Sequence, residues 1–302
     1  MRFYLLVIFI LNSFILCAQT TTTSFLTNNY SLLKDQKGFD YIYALCFAKN
    51  ENLAIASNYG LYQFNGATIT KKYNNKKDYI TFHQHGNSNW TLPFDDYIRE
   101  VDHPETALPF LKNNPYKCLA AYEDKSGNSH FLINSKGLFY EGILHRDLSI
   151  NTINIYRPID FYASYLNVFV KNKQFANNLL TKILNNAENE TRIIKSKYLG
   201  INNTFYCFSN NNDFTFFDGN TFGINNSTLI DICEREDKSL YLAFMGTKGG
   251  LYSWNQNTIK PLYTQQGVNA VAVDKYNHIY FAAYDNQLRM IKNLDVKCYA
   301  FT

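Results

Sequence analysis

The chain has 302 residues, with 29 Lys and Arg against 25 Asp and Glu, and is rich in aromatics, with 24 Phe and 24 Tyr. A formal charge of +4, with no basic run beyond Lys71–Lys77 (KKYNNKK), gives no electrostatic footprint of a nucleic-acid binder. The length allows a sizeable core without covalent staples.

In chain order, the first element is a targeting segment. Met1–Arg2 is followed by an apolar run, Phe3–Leu16, and then by Cys17-Ala18-Gln19, the arrangement of a secretory signal peptide cleaved after Ala18. The run is short for a membrane span. Phe14-Ile15-Leu16 also lacks the small residues that precede a lipidated cysteine. Residues 1–18 are therefore expected to be removed and residues 19–302 to form one periplasmic or secreted domain without a transmembrane helix.

The stretch from Leu53 to Ile69, LAIASNYGLYQFNGATI, introduces a repeat. Its SNYGLYQFNG core returns as NSKGLFYEG at Asn134–Gly142 and as TKGGLYSWNQN at Thr247–Asn257. With Gly60, Gly137 and Gly250 as anchors, weaker copies fall at Asp213 and Gln287, and Tyr97 and Gln174 fill the two double gaps. Positions 60, 97, 137, 174, 213, 250 and 287 lie 37 to 40 residues apart. A fixed period of this size is the mark of a repeat architecture. Clear copies hold an apolar run (Ile42–Phe47, Leu229–Cys233, Val268–Val273), a turn, a second run (Leu53–Ala56, Phe131–Ile133, Phe205–Phe208, Tyr280–Ala283), the Gly-Leu-Tyr strand and a more polar fourth strand. The expected fold is all-β, a seven-bladed β-propeller of four-stranded blades. Leu61, Leu138 and Leu251 are expected at equivalent buried positions.

Two segments depart from the pattern. Lys173–Glu190 (KQFANNLLTKILNNAENE) places Phe175, Leu179, Ile183 and Leu184 at near-helical spacing, compatible with a helical insertion near 173–190 or with strands. Pro104–Pro115 (PETALPFLKNNP) reads as a short helix or an irregular connection.

Residues with chemical potential are few. His83 and His85 in TFHQHGNSN share a face if the segment is a strand, with Asp95, Asp96, Glu100, Asp102 and His103 following. The repeat register puts the two histidines at one turn and Asp95 and Asp96 at the next, on opposite faces, so they read as solvated turn residues rather than metal ligands. Asp124–Ser129 (DKSGNS) begins like a calcium loop but lacks its later ligands, and reads as a tight turn. Cys46, Cys118, Cys207, Cys233 and Cys298 are an odd set at irregular spacing and read as small buried hydrophobes, not as a disulfide framework. No cofactor and no catalytic residue is assigned.

The quoted units, with SGNSHFLINSKGLFYEG, SLYLAFMGTKGGLYSWNQN and NTFYCFSNNNDFTFFDG, resemble the two-component regulator propeller repeats of bacterial periplasmic sensor regions; Trp90 of NWTLPF stands in the family's Trp place. The resemblance covers the whole mature chain. It implies an extracytoplasmic sensing or interaction scaffold, usually joined to a membrane helix and to kinase or transcription-factor modules.

In such a blade the turns between strands two and three share a face with the connections between blades, and that face receives Asn58, Tyr59, Asp95, Asp96, Lys136, Lys248 and Asp285. These are the candidate ligand-binding residues. The first functional reading is a non-enzymatic, sensor-like module that binds a glycan, a peptide or a membrane-bound signalling partner. The second is a lyase or hydrolase acting on polysaccharide in the central channel. The third is the sensor part of a split or truncated two-component receptor.

Overall fold

A computed structural model describes residues 41–74, 80–93, 97–104, 107–109, 117–186, 191–208, 214–235, 237–256, 258–285 and 287–292. Short antiparallel strands follow one another in six separate sheets. Sheet 1 contains β1 (Ile42–Phe47), β2 (Leu53–Ser57), β3 (Gly60–Phe64) and β4 (Ile69–Asn74). Sheet 2 runs from β5 (Ile80–His85) through β6 (Ser88–Pro93) and β7 (Tyr97–Glu100) to β8 (Ala107–Pro109). Sheet 3 holds β9 (Lys117–Glu123), β10 (Ser129–Ser135), β11 (Leu138–Leu144) and β12 (Ile150–Ile155).

Two helices then interrupt the strands, α1 (Pro158–Phe169) and α2 (Lys173–Leu184). Sheet 4 follows, with β13 (Thr191–Ile194), β14 (Tyr198–Ile201), β15 (Thr204–Phe208) and β16 (Phe214–Asp218). Sheet 5 comprises β17 (Ser227–Glu234), β18 (Leu240–Gly246), β19 (Gly250–Trp254) and β20 (Ile259–Tyr263). Sheet 6 has three described strands, β21 (Val268–Val273), β22 (Ile279–Ala283) and β23 (Leu288–Ile291).

The first strand of each sheet is the inner one. β1, β5, β9, β13, β17 and β21 neighbour one another in turn, and β21 returns to β1, so the ring is closed. Closure protects the backbone groups that an open array would expose.

The architecture is a propeller, but its described residues form six blades rather than seven. The fourth expected unit has no strands because its sequence forms the helix pair. Leu179 and Ile183 of α2 pack beside Phe161, Tyr165 and Leu166 of α1, against Tyr122 and Leu132 of sheet 3 and Tyr206 and Phe208 of sheet 4. The hairpin is thus a wedge between sheets 3 and 4 while their inner strands stay adjacent. Asn172 caps α2 by accepting from the Phe175 amide at 3.0 Å. Of the two readings left open for 173–190, the helical one holds for Lys173–Leu184, with Leu184 exposed.

The shift in count moves other elements. In sheet 4 the third strand is Thr204–Phe208, which the repeat placed second, and the Asp213 anchor lies outside the described residues. Ala107–Pro109 is an edge strand rather than a helix or irregular connection.

The Gly-Leu-Tyr strands are also not all in one register. Ser57 pairs with Gly60 and Ala56 with Leu61; Phe244 pairs with Gly250 and Ala243 with Leu251. In sheet 3 the closing pair is Ser135 with Leu138, and Gly137 sits in the turn beside Lys136, both with positive φ (82° and 52°). Leu138 therefore occupies the place of Gly60, and one residue of slip reverses its side chain. Leu61 and Leu251 are wholly buried, whereas Leu138 is 56% exposed. Gly250 is fixed by a close approach, since a Cβ there would lie 2.3 Å from the Tyr263 carbonyl oxygen.

Leu61→Ala and Leu251→Ala are each expected to cost about 2–5 kcal/mol, and Leu138→Ala to stay within about 0.5 kcal/mol. Urea unfolding of the three variants checks this. A loss at Leu138 equal to the other two contradicts the register.

Candidate functional site

The channel between the inner strands holds a cavity of about 180 Å³ with mixed polar and apolar walls. Its lining depends on a recurrent irregularity. In four sheets the inner strand carries one extra residue against its partner: Tyr43 in β1, Leu119 in β9, Ile230 in β17 and Asn269 in β21. All four line the channel. A bulge re-aims a side chain without breaking the sheet, and here it turns inward what simple alternation would not.

Asn269 is 3% exposed. Its Oδ1 accepts from the Tyr41 hydroxyl at 3.2 Å, while its Nδ2 has no partner among the described residues. Tyr41 packs beside Tyr43, at 4.7 Å between ring centroids, and beside the exposed Tyr284, at 6.4 Å.

Charge enters the channel from sheets 4 and 5. Asp231 follows the β17 bulge and accepts from the amides of Ile232 (2.8 Å) and Val271 (2.9 Å), which ties sheet 5 to sheet 6. Burial raises its carboxyl above the usual range, against the opposing pull of Lys195, these amides and Arg192. Lys195 occupies the turn between β13 and β14, where Lys195 and Ser196 both adopt positive φ (47° and 59°) without being glycine. Such backbone costs of order 1 kcal/mol or more per residue. Lys195 is exposed as a residue but lines the channel; desolvation there acts to lower its ammonium, and Cys233, Asp231 and Cys46 outweigh that and hold it above the ordinary lysine value.

A second cavity, of about 600 Å³, lies where the hairpin meets sheets 3 and 4. Leu132, Tyr162, Ile183 and Leu184 give it apolar walls, and Lys117, Arg157 and Arg192 line it with positive charge. It shares Cys118, Leu119 and Arg192 with the channel, so the two spaces adjoin.

The residues expected to bind are placed as follows. Asn58 and Tyr59 form the β2–β3 turn, Lys136 the β10–β11 turn, Lys248 the β18–β19 turn and Asp285 the β22–β23 turn. The antiparallel order of the sheets puts all of these turns on one face, together with the connections between sheets. They are spread round that face rather than gathered at a point. Asn58 is engaged in structure, its Oδ1 accepting from the Tyr41 amide at 3.1 Å. Asp285 forms an ion pair with Arg289, whose guanidinium lies 5.2 Å from the Tyr263 ring centroid. Asp95 and Asp96 lie outside the described residues.

His83 and His85 are not solvated turn residues: both are less than 8% exposed. His83 Nε2 and His85 Nδ1 each lie 2.8 Å from Ser129 Oγ, linking sheets 2 and 3. Alternation on β5 put them on one face as expected, but that face packs against the next sheet. Asp124–Asn128 is a tight turn, with Asp124 Oδ1 accepting from Ser126 and Asn128 amides. Cys46, Cys118, Cys207 and Cys233 are free thiols, and Cys298 lies outside the described residues. Burial pushes Cys118 up to about 12. Among the described residues no three His, Cys, Asp or Glu side chains gather as metal ligands, and no helix is long and apolar enough to cross a membrane.

Lys195, Asp231, Arg192, Tyr43 and Asn269 were missed in the sequence. The bulged residue is second in IYALCF and VNAVAV, third in KCLAAYE and fourth in STLIDICE, so no fixed strand position marked it in the sequence.

With this geometry in hand, comparison with solved structures shows the fold. A structure described as a luciferin-regenerating enzyme aligns over 89% of this chain and 96% of its own, with a TM-score of 0.51 and 10% identity. A streptogramin B lyase aligns over 89% and 96%, with a TM-score of 0.46 and 11% identity. The extracellular domain assigned to a hybrid two component system of B. thetaiotaomicron aligns at a TM-score of 0.47 and 11% identity, over 84% of this chain and 40% of that one. The chain thus spans about 40% of the length of that domain. No family model and no curated protein matches the chain.

The His83–Ser129–His85 link generates a pH dependence. Burial first, and then the neighbouring His85, lower the His83 imidazole to about 3; burial also lowers His85, against an opposing pull from Glu123. The unfolded chain takes up these protons near pH 6.5 and the folded chain only at lower pH. The His83 contribution to stability is therefore full above about pH 6.5 and declines as pH falls toward 3, by up to about 1.4 kcal/mol per pH unit, and that of His85 declines in the same direction. His130 has the opposite sign: burial lowers it, but Glu141 and Asp124 outweigh that, so its contribution is full below pH 6.5 and is lost as pH rises through its raised value. Denaturant midpoints between pH 7 and 4 should fall steeply in the native chain and less steeply in His83→Gln. Equal slopes would contradict the assignment.

Proposed function

We propose that the protein is an exported, non-enzymatic propeller acting as a sensor-like binding module. Its ligand is of glycan or peptide type, or a membrane-bound signalling partner, and it binds on the face carrying Tyr59, Lys136, Lys248 and Asp285. The observation that carries the reading is that the five candidate residues with described positions share one face, which collects two sets of loops from each blade. Loops on a rigid ring present independent side chains without disturbing the packed strands. The signal peptide read at residues 1–18 supports export, and the sensor part of a split or truncated two-component receptor is a form of the same function.

A lyase or hydrolase working from the channel is the second reading. It draws on Lys195, held in a costly backbone conformation beside Asp231. Polysaccharide is a poor fit to it, because a cavity of about 180 Å³ is below the range of roughly 300–1,000 Å³ in which small ligands are enclosed.

The test is capture on glycan and peptide arrays. Joint substitution of Tyr59, Lys136 and Lys248 by Ala should lower capture at least tenfold, while Tyr276, Lys125 and Lys238 to Ala, a charge-matched set on the opposite face, should leave it unchanged. Loss confined to the second set contradicts the proposal. Turnover of a polysaccharide by the native chain, abolished by Lys195→Met, favours the enzyme.

A further inference from the structure

We propose that the cavity between the helix hairpin and sheets 3 and 4 is a binding site for a small amphipathic anion, an apolar body bearing one carboxylate or phosphate head. This site goes beyond the binding-module reading, since it contains none of the turn residues on which that reading rests.

Size and walls set the apolar body. About 600 Å³ is within the range of enclosed small-ligand sites. Leu132, Tyr162 and Ile183 form buried parts of its wall, and Leu184, 64% exposed, stands at it without a packing role in the core.

Charge sets the head. Lys117 comes from sheet 3, Arg157 from the start of the hairpin and Arg192 from sheet 4, so three cations from three elements face one space, and no described carboxylate lines it. Arg192 Nε is buried and has no hydrogen-bond partner among the described residues. An Arg offers a planar fork of donors suited to carboxylate or phosphate. Asp231 is near enough to feel Arg192, but it lies on the channel side and is engaged by two amides.

One of the two helix ends at the cavity agrees in sign. Pro158 and Ile159, the first residues of α1, line the cavity, and the N-cap Arg157 makes no side-chain capping bond. The positive end of a 12-residue helix is thereby turned to the site. Asp160 in that first turn offsets part of this charge through its 2.8 Å pair with Arg157. The negative end of α2 also reaches the cavity, at Ile183 and Leu184, and opposes this, though three of its last carbonyls are engaged: Asn186 Nδ2 donates to Lys182 O at 2.6 Å, the Asn185 amide to Thr181 O at 3.1 Å and the Asn186 amide to Ile183 O at 3.2 Å.

The test uses the purified chain and four probes of one chain length, decanoate, decyl phosphate, decanol and decyltrimethylammonium, followed by titration calorimetry below their micellar concentrations. Decanoate or decyl phosphate should bind at least tenfold more tightly than decanol and the cation, and which of the two binds better fixes the head group. Arg192→Gln should weaken anion binding about tenfold. Leu184→Glu, at an exposed position that leaves the core intact, should do the same by placing like charge at the wall. Equal affinity for decanol, binding unchanged in both variants, or no binding of either anion overturns the proposal. The Tyr59, Lys136 and Lys248 variant should bind the anion normally, which keeps failure of this site separate from failure of the turn-face reading.

Discussion

The packing of the α1–α2 hairpin between sheets 3 and 4 is the contact on which the ring depends. A closed ring of twisted sheets leaves a wedge-shaped gap beside each blade, and every gap needs apolar bulk. Elsewhere one blade's side chains meet the next directly, as where Phe205 and Phe217 of sheet 4 meet Trp254 of sheet 5 at ring-centroid distances of 5.3 and 5.6 Å. Between sheets 3 and 4 the filler is helical. Tyr165 and Phe161 lie against Tyr122 at 5.2 and 5.3 Å, and Tyr165 also meets Phe208 at 6.0 Å. Burial of Phe161 contributes about 1.5–3 kcal/mol through removal from water, whereas the gain at Tyr165 is offset by its buried hydroxyl, which has no hydrogen-bond partner among the described residues; the hairpin is part of the core and not an appendage.

That substitution has a chemical consequence. A hairpin is shaped differently from a four-stranded sheet, and where it diverges from its neighbours it leaves the 600 Å³ cavity. Helix α1 also brings a macrodipole, whose positive end lies at Pro158 and Ile159 on the cavity wall. The segment that fills the gap between sheets 3 and 4 thus also creates a cavity of about 600 Å³ and a positive field within it.

The channel follows a different logic. Its diameter is set by the number of inner strands, and its chemistry by four bulges that turn Tyr43, Leu119, Ile230 and Asn269 inward. Asp231 is then free to bind the Val271 amide of the next sheet. Buried polar links of this type, with His83–Ser129–His85 as another, fix the angular order of the blades where apolar packing alone would tolerate sliding.

The sequence by itself determined the class of fold, because period-2 alternation and a repeat near forty residues are local properties that survive without knowledge of contacts. Most first and second strands and the common face of Asn58, Tyr59, Lys136, Lys248 and Asp285 were legible in it, while Lys173–Leu184 stayed open between helix and strands until packing against sheets 3 and 4 made it helical. Tertiary structure decided the number of blades, since seven periods in sequence do not require seven sheets when one period is helical and a ring can close around six. It decided the side of Leu138, because the two-residue turn at Lys136-Gly137 shifts register by one. It also decided the burial of His83 and His85, whose face meets a neighbouring sheet that no local pattern reveals. The channel and the cationic cavity were hidden for the same reason: Arg192, Lys195 and Asp231 meet Tyr43 and Lys117 only when strands distant in sequence are brought round one axis.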